Sequence, residues 1–176
     1  MAQALRTVRR GLDALYLIGG IISALFLVAI LLLILAQMGS RWLGIQFAGG
    51  ADYAGYCMAG ASFMAFAYAL NHGAHIRVSL LLQFMGRARR WGELWCFAIG
   101  TAASIFLLRY AWKGAWTSWR FGDVSQGQDA TPLWIPQSVV VVGAALLAIA
   151  FVDNLIRVLF TGTSGVRADV SETQAD

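Results

Sequence analysis

The sequence predicts an all-α integral membrane protein with four transmembrane helices and both termini in the cytoplasm. Of its 176 residues, 59% are hydrophobic and 12% are charged, against about 45–50% and about 25% in soluble domains. Long apolar stretches recur four times, and most of the basic residues fall on one side of them. This composition excludes a soluble globular enzyme and a disordered chain.

The N-terminal part of the chain predicts two helical segments. Residues 1–13 alternate apolar positions with Arg6, Arg9 and Arg10, and predict a short interfacial helix. Residues 14–40 carry no charge and predict the first span. That run is longer than the roughly 7–15 apolar residues of a secretory signal peptide, so we expect it to be retained.

The rest of the chain predicts three further spans and the segments between them. A bilayer core of about 30 Å requires about 20 helical residues, and each predicted span reaches that length. The whole chain, 1–176, is therefore predicted to be a single membrane domain. Its remaining segments are a second span at 51–73, an amphipathic cytoplasmic interfacial segment at 75–91, a third span at 92–117, a fourth span at 133–158 and a polar tail at 161–176.

Basic and aromatic residues set the expected orientation. With the N-terminus inside, nine arginines fall on the cytoplasmic side and four basic residues on the other side. This bias agrees with the positive-inside rule. Tryptophans at the ends of the third span predict contact with the lipid interface, although three of them share one helical face and a ligand cage is the alternative. The tryptophans are Trp91, Trp95, Trp112, Trp116 and Trp119.

The sequence predicts no catalytic residue, no substrate-binding residue, no metal site and no cofactor. The middle of every predicted span lacks Asp, Glu, Lys, Arg and His, the residues that form ion paths and proton relays in membranes. The two cysteines form no CxxC pair, and the two histidines lack further metal ligands nearby. Asp153 and Arg157 are expected to form a local ion pair. The chain is therefore predicted not to be an enzyme.

Small residues predict close helix packing. Gly55 and Ala59 on the second span, and Ala144 and Ala148 on the fourth, follow a small-xxx-small spacing. Small side chains let helix backbones approach closely in lipid. We expect these four residues to pack against a partner; the alternative is that they only pack the four helices of this chain together.

One motif resembles a known family. Residues 73–78, Gly-Ala-His-Ile-Arg-Val, follow an aromatic and alanine-rich span and resemble the most characteristic motif of the small membrane subunit (Q subunit) of tripartite ATP-independent periplasmic (TRAP) transporters. Ser79 stands where that family usually has an acidic residue. Asp52 stands where it commonly has a glutamate, and is expected to cap the second span. The matching positions are Gln37, Arg41, Asp52, Gly73, His75, Arg77, Pro132, Trp134, Pro136 and Gly143.

The resemblance implies a non-catalytic subunit of a sodium-driven importer in the bacterial inner membrane. A separate large membrane subunit would carry sodium and an organic acid anion, of the C4-dicarboxylate or sugar-acid class, delivered by a periplasmic binding protein. This chain would be part of the static scaffold. His75 and Arg77 are candidates for capping the second span, for contacting the partner or for binding membrane phospholipids. No nucleic-acid partner is expected.

Three other functions compete with this interpretation. A self-contained small exporter, or an accessory subunit of another membrane complex, has a similar composition. The exporter requires a membrane-embedded carboxylate, and none is predicted at depth. A quinone-linked thiol oxidase requires Cys57 and Cys96 to meet, yet they are predicted near opposite ends of their helices, too far apart for a disulfide.

Overall fold

The computed structural model describes residues 2–45, 47–71, 89–128 and 130–161, and every structural statement below refers to these residues. They form four helices: α1 (Ala2–Trp42), α2 (Gly50–Asn71), α3 (Arg89–Phe121) and α4 (Trp134–Thr161). Three described helices are long and apolar enough to cross a membrane, over Arg9–Trp42, Trp91–Phe121 and Trp134–Leu159. The prediction of an all-helical membrane protein is thereby confirmed, whereas the fourth span and the orientation stay predictions.

The helix boundaries differ from the predicted segments most clearly before residue 14 and at both ends of α3. α1 continues without a break through the predicted boundary at residue 13, so 1–13 is not a separate helix in the described part of the chain. α3 begins at Arg89, inside the predicted interfacial segment, and ends at Phe121. Residues 72–88 of the predicted second span and interfacial segment, and residues 162–176 of the tail, lie outside the described residues.

The helices pack side by side in the order α1, α2, α4, α3. α1 contacts α4 only narrowly, so α2 and α4 form the centre of the row and α1 and α3 flank it. Gly19 of α1 meets Met64 of α2, whereas Phe26 meets Gly60, so α1 and α2 are antiparallel. Small residues at these positions allow the close approach that stabilises helix pairs in lipid.

The central helices run in the same direction. Gly143 of α4 lies against Phe63 of α2, and the Asn154 side chain donates a hydrogen bond to Asn71. The connections 43–49 and 122–133 therefore lie at one end of the row, which we call the loop end. Asn71 and Asn154 lie at the opposite end, together with Tyr16, and we call this the terminal end.

The core lies between α1, α2 and α4 near the terminal end. Its buried side chains are mixed in size, and partly buried Phe26 and Phe151 extend it toward the neighbouring helices. The flanking helices instead expose long apolar side chains such as Leu25, Leu32 and Ile99. Such faces are costly in water and suit a hydrocarbon environment. The core residues are Tyr16, Met64, Ala67, Leu70, Leu146 and Ala150.

Candidate partner interface

The end of α1 is fastened to the start of α2. Gly49 has a positive φ of 77°, a conformation that favours glycine, and it turns the chain into α2. A side chain on the buried Gly50 would collide with the Gln37 amide and with Phe47. Ser40 donates a hydrogen bond of 2.9 Å to the Gln37 carbonyl. Gln37 is therefore a packing residue between α1 and α2.

Arg41 lies beside a cleft at the same corner. The cleft has a volume of about 880 Å³ and is bounded by α1, the 43–49 connection and the start of α2. Arg41 is exposed and is the charged side chain among the described residues that line the cleft. Trp42, next in sequence, is 85% exposed. This corner presents a cation and an indole, the pair of groups found at membrane–water interfaces.

The 122–133 connection folds over the start of α2. Ser125 N donates to Thr131 O at 2.8 Å and Leu133 N donates to Asp123 O at 3.0 Å, which makes a narrow two-stranded turn. The Asp52 carboxylate packs directly on Gly127, where any side chain would collide with it. Asp52 stands in the first turn of α2, so it is not the helix cap that the sequence predicted. Its negative charge still stabilises α2, because it lies near the positive, N-terminal end of the helix dipole.

Three residues of the predicted motif lie at the start of α4 or just before it. Pro132 pairs with Val124 in an isolated antiparallel bridge, and its carbonyl accepts a hydrogen bond from Ile135 N at 3.1 Å. Trp134 is the first residue of α4, and Pro136 lies in its first turn. Proline is tolerated there because that turn has no intrahelical acceptor for its missing N–H.

Gly143 brings α4 into contact with α2. It is buried, and a Cβ atom at this position would lie 2.6 Å from Phe63 Cβ and 2.7 Å from the Phe63 backbone carbon. The backbone carbon cannot move aside as a flexible side chain can. Glycine is therefore required at the crossing of the two central helices.

The four small residues that were predicted to pack against a partner differ in their burial. Ala144 is 0% and Ala148 is 6% exposed, so both pack inside the chain, and their assignment to a partner surface is corrected. Gly55 is exposed, and a Cβ atom there would meet nothing within 4 Å. Ala59, one turn further, is half-buried. Only the two α2 residues remain available to a partner.

The five tryptophans of α3 are more than half exposed. Trp91 and Trp112 are 21 residues apart, which is about 31 Å along a helix and matches a bilayer core of about 30 Å. The Trp116 and Trp119 rings lie 5.2 Å apart between centroids. This arrangement suits two belts of interfacial anchors, with Trp95 in the first belt.

Polar contacts inside the helix row were not predicted from the sequence. Ser23 of α1 donates a 2.8 Å hydrogen bond to the Ala61 carbonyl of α2, and Asn154 donates to Asn71 at 2.8 Å. The predicted ion pair is present, with Arg157 2.6 Å from Asp153. Small polar residues in apolar helices signal such bonds, but their partners cannot be identified without the packing.

Several predicted positions are not brought together or not described. Gly73, His75 and Arg77 lie outside the described residues, so their predicted roles stay predictions. Cys57 on α2 and Cys96 on α3 are free thiols on helices separated by α4. The described residues hold no group of three His, Cys, Asp or Glu side chains that could bind a metal ion.

The helices and their apolar faces define a small integral membrane protein, and most of the motif residues that the structure describes lie at the loop end, at the end of α1 and the starts of α2 and α4. Residues 30–161 match the family model of the DctQ component of tripartite ATP-independent periplasmic transporters. Because the match covers three quarters of the sequence, the chain belongs to this transporter-component family. No curated protein and no solved structure matches the chain.

Proposed function

We propose that this chain is the non-catalytic scaffold subunit on which a separate large TRAP subunit imports organic acid anions of the C4-dicarboxylate or sugar-acid class. The family match carries the proposal. The sequence supports a scaffold rather than a conducting role because the middle of each helix lacks ionisable residues. Sodium coupling and substrate binding then belong to the large subunit, and a periplasmic protein delivers the substrate in the bacterial inner membrane.

We further propose that α2 is a fourth span. It is 22 residues long, about 33 Å at 1.5 Å per residue, which is sufficient to cross the bilayer core. α1 and α4 are apolar enough to cross, and α2 lies between them along its whole length, from Gln37 at Gly50 to Asn154 at Asn71. A helix enclosed by two spans lies at the same depth as they do.

The same packing supports an orientation with both termini in the cytoplasm. The loop end holds both connections, since Tyr53 of α2 and Thr131 of the second connection are hydrogen-bonded at 3.4 Å between hydroxyl oxygens. A connection in contact with the start of α2 lies on the same side of the membrane as the connection that precedes α2. The excess of arginine in the sequence segments outside the two connections favours the opposite end for the cytoplasm by the positive-inside rule.

The exposed face of α2 is our candidate docking surface for the large subunit. It carries the small residues Ala51, Gly55 and Ser62 between the larger Met58 and Phe66, all exposed, whereas the exposed face of α1 is formed largely by leucine, isoleucine and valine. Long aliphatic residues suit lipid, and small residues suit a partner helix. Gly55 lies at the centre of this face and has open space around it.

Co-purification and reconstitution test the proposal. The chain is expected to co-purify with the large subunit, and sodium-driven uptake in proteoliposomes is expected only with the large subunit and the binding protein. Gly55→Leu is expected to reduce co-purification at least fivefold. Gly114→Leu is the matched control, because Gly114 lies on α3 and also has nothing within 4 Å. Transport by this chain alone would contradict the proposal and favour the exporter alternative.

A further inference from the structure

A stripe of three cations runs along α3 near the loop end. Arg109, Lys113 and Arg120 are exposed, and their spacings of four and seven residues place them on one side of the helix. They are three of the four basic residues that the predicted orientation places outside the cytoplasm. Among the described residues, none of the three forms an ion pair with a carboxylate, so the charge of the stripe is not neutralised within this part of the chain.

The stripe lies at the level of the membrane surface. The uncharged stretch of α3, residues 94–108, ends immediately before Arg109. Trp112 and Trp116 alternate with the cations along the helix and are 61% and 52% exposed, and indole rings concentrate at the headgroup level of a bilayer. Because the cations are exposed, they lie outside the contact of α3 with α4. The stripe therefore lies where lipid phosphates are found.

A shallow cleft adjoins the stripe at Lys113. Its volume is about 370 Å³, within the range of about 300–1,000 Å³ that is usual for ligand pockets. Three side chains with hydroxyl groups line it beside Lys113, namely Tyr110, Thr117 and Ser118. Hydroxyl groups both donate and accept hydrogen bonds, whereas the lysine ammonium only donates them. The cleft thus offers one positive charge together with neutral polar groups.

An anionic phospholipid has the matching chemistry. Its phosphate carries a negative charge and accepts hydrogen bonds, and lysine and arginine are the side chains that commonly bind phosphate. Arg109 lies one turn deeper than Lys113, and basic side chains at such positions extend toward the interface. We propose that α3 binds one anionic phospholipid of the loop-end leaflet, with its phosphate at Lys113 and Arg109 and its headgroup hydroxyls in the cleft. Its acyl chains then lie along the exposed Ile105 and Phe106.

Lipid photo-crosslinking tests the proposal on the full chain in phosphatidylcholine liposomes. Two probes with the same photoactivatable acyl chain, one a phosphatidylglycerol and the other a phosphatidylcholine, are compared at equal concentration, and the labelled peptides are mapped by mass spectrometry. Residues 105–118 are expected to be labelled about threefold more by the phosphatidylglycerol probe, whereas the exposed leucines of α1 are expected to be labelled equally by both. Equal labelling of α3 by the two probes would overturn the proposal.

Single substitutions locate the bound lipid. Lys113→Gln removes a phosphate contact, and Thr117→Val removes a hydroxyl of the cleft, so each is expected to lower the preference of α3 for phosphatidylglycerol. Arg41→Gln is the matched control, because Arg41 is an exposed cation at the same end of the molecule but on α1; the preference of α3 is expected to persist. A preference that Lys113→Gln or Thr117→Val leaves unchanged, or that falls equally in Arg41→Gln, would contradict this site.

An acidic protein surface is the competing occupant of the stripe. In that case both probes label α3 equally, and Lys113→Gln weakens binding of the periplasmic protein instead. That pair of results would reject the lipid site.

Discussion

The central helices and the flanking helices use apolar residues in different ways. Of the apolar stretch of α4, 39% is buried inside the chain, against 11% for α1 and for α3. The central pair is held by close contacts such as that of Gly143 with Phe63. The flanking pair exposes leucine, isoleucine and tryptophan. Small residues therefore mark the places where helices of this chain contact each other closely.

This difference explains why α2, unlike the other three described helices, lacks a stretch apolar enough to be recognised as a membrane span. Its sides are covered by α1 and α4, so it does not need a lipid-like surface all round. Glycine, alanine and tyrosine replace leucine over much of its length. α4, the other central helix, keeps an apolar stretch that is long enough to cross a membrane, so the low hydropathy is particular to α2.

The largest expected effect is a difference in stability between two glycine substitutions. Gly143 contacts a neighbouring helix, whereas Gly114 has open space around it. Gly143→Ala places a Cβ atom 2.6 Å from Phe63 Cβ, and overpacking of this kind costs about 1–3 kcal/mol. Gly114→Ala meets nothing within 4 Å and is expected to be neutral or to stabilise by up to about 1 kcal/mol. Thermal unfolding in detergent measures both. Equal Tm values for the two variants would contradict the helix order.

A smaller effect is expected for the hydrogen bond between α1 and α2. Ser23→Ala removes the bond from Ser23 to the Ala61 carbonyl, and interhelical bonds in membrane proteins are worth about 0.6 kcal/mol on average, with a maximum near 1.7. Ser62→Ala is the control, because the exposed Ser62 bonds only to Met58 in its own helix. The unfolding midpoint should fall for Ser23→Ala alone; a fall of the same size in both would show that the bond does not link the helices.

The smallest effect concerns the loop end. Asp52→Asn removes the charge in the first turn of α2, and such a charge stabilises by about 0.3–1 kcal/mol at low salt. Asp123→Asn is the comparison of opposite sign, because the exposed Asp123 follows the negative end of α3 and its neutralisation is expected to leave Tm unchanged or to raise it. Tm measured at low and high salt should show a deficit for Asp52→Asn that shrinks as salt rises. A deficit that is independent of salt would show that the carboxylate acts by packing on Gly127 alone.

The sequence predicted the all-helical class and the approximate helix ends because charges, prolines and tryptophans mark them. Pro132, Trp134 and Pro136 lie at the start of α4 as expected. The sequence did not distinguish Ala144, which is buried, from Gly55, which is open, because a uniformly apolar span has no polar face to set its rotation. It also did not pair Asn154 with Asn71, since residues distant in sequence meet only through the helix order. The continuity of α1 was missed because the arginines before residue 14 resemble an interfacial segment.

The membrane crossing of α2 is the central claim, and cysteine labelling tests it most directly. In a background with Cys57→Ala and Cys96→Ala, Ile45→Cys and Gln126→Cys each place one thiol in an exposed position of a different connection. A membrane-impermeant maleimide applied to intact spheroplasts is expected to label both, because four spans place both connections in the periplasm. Labelling of Ile45→Cys but not of Gln126→Cys would show that α2 does not cross the membrane.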